Sequence, residues 1–269
     1  MRITAHLAFT AALTTGALVA SALTGPAAAA WGDAAMGSQI ALHEGVSPDA
    51  PRTIEEVPLD PRTRATVAGI DVSGHQGDVN WQEHWNLGRR FVYVKATEGT
   101  GFKNPKYAQQ YDGSRQIGMI RGAYHFALPN RSSGAAQANY FVDNGGHWSD
   151  DGMTLPGALD IEYNPYGDTC YGLSQDAMAN WIKDFSDTYR ARTSRYPTIY
   201  TSANWWAKCT GGRQDFSKTN PLWIARYAAA IGALPHQWGI HTIWQYSSKP
   251  IDQNAFNGAY SRLRALAAG

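Results

Sequence analysis

The chain has 269 residues, of which 17% are charged and 12% aromatic, with 27 Gly, 10 Trp and 14 Tyr. That length accommodates one large domain or two small ones, and the apolar content excludes a predominantly disordered chain. Lys and Arg number 23 against 22 Asp and Glu, a formal net charge of +1, so the basic excess that nucleic acid or an anionic membrane would select is missing.

The N-terminus has the layout of an export signal. Arg2 gives a positive start, residues 7–23 an apolar stretch, and Ala28-Ala29-Ala30 a small-residue cleavage site, so residues 1–30 are expected to be removed and the mature chain to begin near Trp31, outside the cell. A membrane anchor is opposed by the shortness of the stretch, by Thr10, Thr14, Thr15 and Gly16 within it, and by Gly25-Pro26 behind it. Residues 31–66 turn to Pro, Asp, Glu and small side chains without sustained periodicity, carrying three Arg against six acids. They read as a propeptide or an N-terminal extension rather than a domain. Residues 67–269 carry 19 basic and 16 acidic side chains, a mild positive balance suited to an anionic substrate. Cys170 and Cys209 are the two cysteines, and in an exported chain they are expected to pair, closing a loop worth on the order of 4 kcal/mol.

Strands are predicted over 67–73, 91–97, 119–126, 157–162, 197–202, 222–227 and 242–246. Several are nearly continuous in Val, Ile, Tyr and Trp, the mark of strands covered on both faces in a parallel sheet. Helices are predicted over 105–116, 135–144 and 175–192, the last with Ser174 as N-cap. Repeating beta-alpha units suggest a barrel or a doubly wound sheet. After residue 197 the Gly-rich and Trp-rich connections leave less room for crossover helices, which argues against a regular eightfold barrel.

The acids decide where chemistry belongs. Asp71 lies near the end of the first strand, and Asp160 and Glu162 close the fourth in Ala158-Leu159-Asp160-Ile161-Glu162. Residues two apart in a strand project to one face, so these two carboxyls point together, at the strand ends where parallel barrels keep their active sites. Two nearby acids among apolar strand ends cannot both ionise cheaply; one keeps its proton, as glycosidic cleavage requires. An isolated D-x-E would favour structural ion pairs or a divalent cation over catalysis, because strand-end acids also serve as caps and hydrogen-bond acceptors, but a hard cation wants more oxygen ligands and no apolar surround. Asp252, just past the seventh strand in Ile251-Asp252-Gln253-Asn254, adds a further acid where an eighth strand would complete a barrel.

Taken together these motifs resemble a known family. The run Gly69-Ile70-Asp71-Val72-Ser73-Gly74-His75-Gln76-Gly77, then Tyr93-Val94-Lys95-Ala96-Thr97-Glu98-Gly99 with Phe102 and Asn104, is similar to the signature of glycoside hydrolase family 25, the Chalaropsis-type lysozymes or N-acetylmuramidases. The likeness continues in order through Gly122-Ala123-Tyr124-His125-Phe126, Asp160-Ile161-Glu162, Ile199-Tyr200-Thr201-Ser202, Leu222-Trp223-Ile224-Ala225, Trp244-Gln245-Tyr246 and Asp252-Gln253-Asn254-Ala255-Phe256. It implies an α/β fold, an irregular TIM-like barrel of eight strands with about five helices, over 67–269. It also implies hydrolysis of the β-1,4 bond from N-acetylmuramic acid to N-acetylglucosamine in peptidoglycan, with Glu162 as general acid/base, Asp160 beside it, and Asp71 and Asp252 as the other two groove carboxylates. An aspartate or the sugar's own N-acetyl oxygen attacks the anomeric carbon; the D-x-E arrangement favours the second, with Asp160 orienting and stabilising, and either route retains configuration.

Tyr124, Trp244, Gln245 and Tyr246 are the candidate sugar-binding residues, combining rigid aromatic faces with polar tips, whereas Phe126 reads as core. Glu98 lies close in sequence to Lys95 and reads as structural support. His75 and His125 lack an accompanying zinc-ligand pattern, so no metal and no cofactor is assigned. The expected partner is the peptidoglycan glycan strand, with no nucleic acid and no membrane, and the expected state is a monomer. The competing functions are a glycosidase acting on chitin-like N-acetylglucosamine polymers and a non-catalytic wall-binding protein on a degenerate enzyme fold.

Overall fold

The computed structural model describes Met1 and residues 33–269; residues 2–32, and with them nearly all of the expected export signal, lie outside the described residues. A short helix, α1 (Ser38–Glu44), precedes the first strand, β1 (Thr66–Val72). After α2 (Trp81–Asn86), β2 (Phe91–Glu98) runs parallel to β1 and carries a short antiparallel partner, β3 (Phe102–Lys103). Then follow α3 (Tyr107–Gln116), β4 (Ile120–Phe126), α4 (Gly134–Phe141), β5 (Ala158–Asp160), α5 (Gln175–Thr193), β6 (Thr198–Thr201), α6 (Ala203–Thr210), β7 (Leu222–Ala225) and β8 (Ile243–Ser247). The strands from β4 to β8 continue the parallel order from β2. β9 (Gln253–Asn257) is antiparallel to both β8 and β1 and closes the ring, and α7 (Tyr260–Ala268) ends the chain.

Among the described residues the barrel has eight strands, with β9 alone reversed. The reversal follows from spacing: residues 248–252 are too few for the crossover that parallel neighbours require. Helices α3, α4 and α5 lie where the apolar pattern predicts them. Helices α1, α2, α6 and α7 run six to nine residues, too short for a 3.6-residue repeat to stand out, and take the helix count past the expected five. The connection from β7 to β8 carries no helix, in keeping with its composition. Ser174 caps α5, its side chain accepting from the Ala177 N–H. Below the cap Met178, Trp181, Ile182, Phe185 and Tyr189 form one buried stripe.

The barrel interior is layered. Its lower part is aromatic: Tyr93 lies 4.8 Å from the Trp223 ring, and Trp223 lies 5.0 Å from Tyr200. Its upper part, at the C-terminal ends of the parallel strands, is polar. The aromatic layer leaves no slack. A Cβ at Gly122 would lie 2.4 Å from the Tyr93 ring, which is pinned by its hydroxyl donating to the Pro156 carbonyl at 2.9 Å. Gly122→Ala is therefore expected to cost about 1–3 kcal/mol, read in a thermal melt as a fall of roughly 5 °C; an unchanged midpoint would show that the layer can yield.

Candidate active site

Four carboxyl groups converge on the polar mouth of the barrel. Asp71, on β1, is 1% exposed, and its Oδ2 accepts from Gln245 Nε2 at 2.8 Å and Asn254 Nδ2 at 2.7 Å. Burial outweighs these two bonds and pushes its carboxyl up to about 7. Asp160 is the last residue of β5 and is fully buried, and neither of its oxygens accepts a hydrogen bond from the described residues. Burial raises it well above the ordinary carboxylate range, the charge of Glu162 adds to that, and Lys95 opposes it.

Glu162 lies two residues beyond the end of β5, not within the strand as the alternation alone suggested. The Ile161 N–H donates to the Tyr200 carbonyl at 3.0 Å, so the backbone stays in register and Leu159 and Ile161 remain buried. The Glu162 Oε1 accepts from the Gly37 N–H at 2.6 Å and Oε2 from the Ile40 N–H at 3.2 Å. Burial outweighs these bonds and pushes Glu162 up to about 8, with the charges of Glu44 and Asp71 acting in the same direction. Asp252, in the β8–β9 connection, is half-buried and also raised, by burial and then by Asp71 and Glu162; its carbonyl accepts from the Asp71 N–H at 3.3 Å.

Of the aromatic candidates, Tyr124 on β4 is buried and faces the cluster: its hydroxyl is raised by burial and then by the charges of Asp71, Asp160 and Asp252. The Trp244-Gln245-Tyr246 run divides between two faces of β8. Gln245 points inward to Asp71, whereas the Trp244 Nε1 donates outward to the Arg226 carbonyl at 2.7 Å and Tyr246 lines a hollow with Pro48, Pro51 and Arg52. The period of two that places Gln245 at the acids removes its neighbours from them.

Several residues at the mouth carry no role in the sequence reading. Tyr200 and Tyr227 both donate their hydroxyls to Gln245 Oε1 at 2.6 Å, which fixes the amide so that its NH2 turns to Asp71. Tyr171 is buried among the charges of Glu162, Asp160 and Glu98. Lys95, fully buried, pairs with Glu98 at 2.6 Å, the supporting role expected of Glu98. The alternation that marks Asp160 would also have marked Tyr200, two residues from Thr198 on β6. Tyr227, the last residue of the strand predicted over 222–227, lies past the end of β7, which stops at Ala225. His125 faces away from the mouth, its ring held by Thr97 and Gln137. Cys170 and Cys209 are joined by a disulfide.

The buried acids make stability depend on pH. Asp71 and Glu162 hold protons in the fold up to about 7 and about 8, whereas their ordinary values are 3.8 and 4.5. The stability this confers is complete below the ordinary values and is lost as pH climbs through the folded ones. His125 and His241 are lowered to about 4 from 6.5 by burial, so their contribution is complete above 6.5 and is lost as pH falls through about 4. The two effects oppose each other below pH 6.5, and above it the acids act alone. The thermal midpoint is expected to fall between pH 6.5 and pH 8.5, and Asp71→Asn to flatten that fall; a midpoint that rises across this interval would contradict the assignment.

Residues 70–255 match the model of Glycosyl hydrolases family 25. The chain is 45% identical over 240 residues to "Lysozyme M1" of Streptomyces globisporus, covering 86% of this chain and 80% of that protein. It is 47% identical over 211 residues to "N,O-diacetylmuramidase" of Chalaropsis sp, covering 76% of this chain and all of that one. Its fold is similar to the solved muramidase from Acremonium alcalophilum, with a TM-score of 0.74 and 59% identity over 76% of this chain and 99% of that one.

Proposed function

Because the chain belongs to the glycosyl hydrolases of family 25, we propose that it is a secreted, monomeric lysozyme that cleaves the β-1,4 bond from N-acetylmuramic acid to N-acetylglucosamine in peptidoglycan. In this reading residues 1–30 are the export signal, 31–66 a propeptide or extension, and 67–269 the catalytic barrel. Among the described residues no helix is long and apolar enough to cross a membrane. The observation that carries the reading is the convergence of Asp71, Asp160, Glu162 and Asp252 at one mouth, close enough for their charges to act on one another.

Glu162 then donates that proton to the glycosidic oxygen as the bond breaks. Asp160, whose oxygens accept no hydrogen bond from the described residues, accepts the N–H of the substrate's acetamido group and steers the acetamido oxygen onto the anomeric carbon; Lys95 favours its ionised form. Glu162, now a carboxylate, takes a proton from the water that opens the ring so formed, and two inversions give net retention. Asp71 and Asp252 complete the acidic wall, and Tyr124 and Gln245 contact the sugar. Trp244 and Tyr246 act from the outer face by holding β8 in place.

The test is reducing-end analysis of digested peptidoglycan. New ends are expected to be N-acetylmuramic acid, with the β-anomer formed first. N-acetylglucosamine ends, or digestion of chitin with walls untouched, would overturn the reading in favour of the chitin-type glycosidase.

A further inference from the structure

Residues 33–52 occupy the mouth of the barrel and engage the groups on which the proposed function rests. We propose, on the strength of that reading, that this segment is a built-in inhibitor competing with the glycan, and that the exposed stretch up to β1 is a proteolytic activation site.

The fit is close and polar. The N–H groups of Gly37 and Ile40 donate to the two oxygens of Glu162, the groups that must reach a glycosidic oxygen and a water. Gly37 has φ 74, and a Cβ there would lie 2.1 Å from the Tyr227 hydroxyl, 2.6 Å from Gln245 Oε1 and 2.7 Å from the Tyr200 hydroxyl, so only glycine lets the backbone pass. The Ala34 carbonyl accepts from Lys95 Nζ at 2.7 Å, and the Ala34 N–H donates to Glu98 at 2.9 Å. Met36 and Ile40 are buried, and Glu44 accepts from Tyr163 at 3.0 Å, Asn204 at 2.9 Å and Ser202. With the segment in place Asp160 and Glu162 are 0% exposed, so a glycan and the segment cannot occupy the mouth together.

Two further observations separate an inhibitor from a permanent part of the enzyme. The Chalaropsis enzyme aligns over its whole length with 76% of this chain, and the Acremonium alcalophilum muramidase over 99% of its own with the same share. The quarter left over has the length of what precedes β1, and the family match begins at residue 70. Between the segment and β1 the chain runs down the outside of β9, from Arg52, whose carbonyl accepts from Gln253, to Thr63, which donates to Asn257. Arg52, Arg62 and Arg64 are exposed there. A cut among them turns an intramolecular competitor into a dissociable peptide, removing its effective-concentration advantage.

The experiment compares wall clearing by the intact chain before and after limited trypsin digestion, with the cut mapped by N-terminal sequencing. The intact chain is expected to clear walls at least about 100-fold more slowly than the cut one. A synthetic peptide of residues 33–52 should raise the KM of the cut enzyme without changing its kcat. Gly37→Val should release the uncut chain to near the rate of the cut one. Equal rates from intact and cut chain overturn the inference. If neither form clears walls, the muramidase reading fails, and calorimetric binding of soluble peptidoglycan fragments decides the inference: binding by the cut chain alone supports it, and binding equal in both forms or absent from both overturns it.

Discussion

Glu162→Gln is expected to slow wall clearing by about 10²- to 10⁴-fold, the range by which a positioned general acid accelerates a reaction. Gln fills the same space and cannot release a proton. The Gln amide has one acceptor oxygen where Glu162 uses two, for the Gly37 and Ile40 N–H groups, so the variant also loosens residues 33–52 and the comparison is made on the cut chain. Asp160→Asn is the sharper companion. Neither Asp160 oxygen accepts a hydrogen bond from the described residues, so a structural role predicts no loss of activity, whereas an orienting role toward an acetamido group predicts a loss of similar size in kcat. The double variant should be little worse than either single one, since the two carboxyls act on one transition state. A loss of less than about tenfold for either variant, with kcat and KM resolved, would remove that residue from the proposed mechanism.

Replacing Cys170 and Cys209 together by Ser is expected to lower stability by about 4 kcal/mol, and the melting midpoint by roughly 10 °C. The bridge spans a sequence separation of 39 and ties the segment after β5 to α6. That segment carries Tyr163, Asn164, Tyr166 and Tyr171, and it is otherwise tethered to α6 by the Trp205 Nε1 donating to the Thr169 carbonyl at 3.2 Å. Loosening it frees the wall beside Glu162, so activity should fall at temperatures where the barrel still melts cooperatively. Calorimetry of the double variant, beside the parent with and without reductant, measures the effect; a change below about 1 kcal/mol would show that native packing alone sets the loop.

The parallel strands were legible because strands such as 91–97 and 222–227 are apolar almost throughout, which only a sheet covered on both faces tolerates. The acids were legible for the opposite reason: carboxyls such as Asp160 interrupt apolar runs at the point where a strand must end. The same period-of-two rule, applied to Trp244-Gln245-Tyr246, separates the middle residue from its neighbours, and the structure makes that division through the Gln245 bond to Asp71. What composition could not convey is docking at long range. Residues 33–52 look like a linker locally, and α1 has no visible repeat in seven residues. Their order comes from partners such as Glu162, 125 positions away from Gly37, and no local pattern encodes a partner at that distance.

The reversed strand β9 has a consequence for biogenesis. β1 needs residues 253–257 along one edge, and β8 needs the same residues along its own. A nascent polypeptide emerging in order must therefore hold two unsatisfied sheet borders apart until its last strand is made, which favours slow, late ring closure and exposes sticky intermediates to aggregation. Chains stalled before residue 253 would remain open crescents, with the edges of β1 and β8 both unpaired.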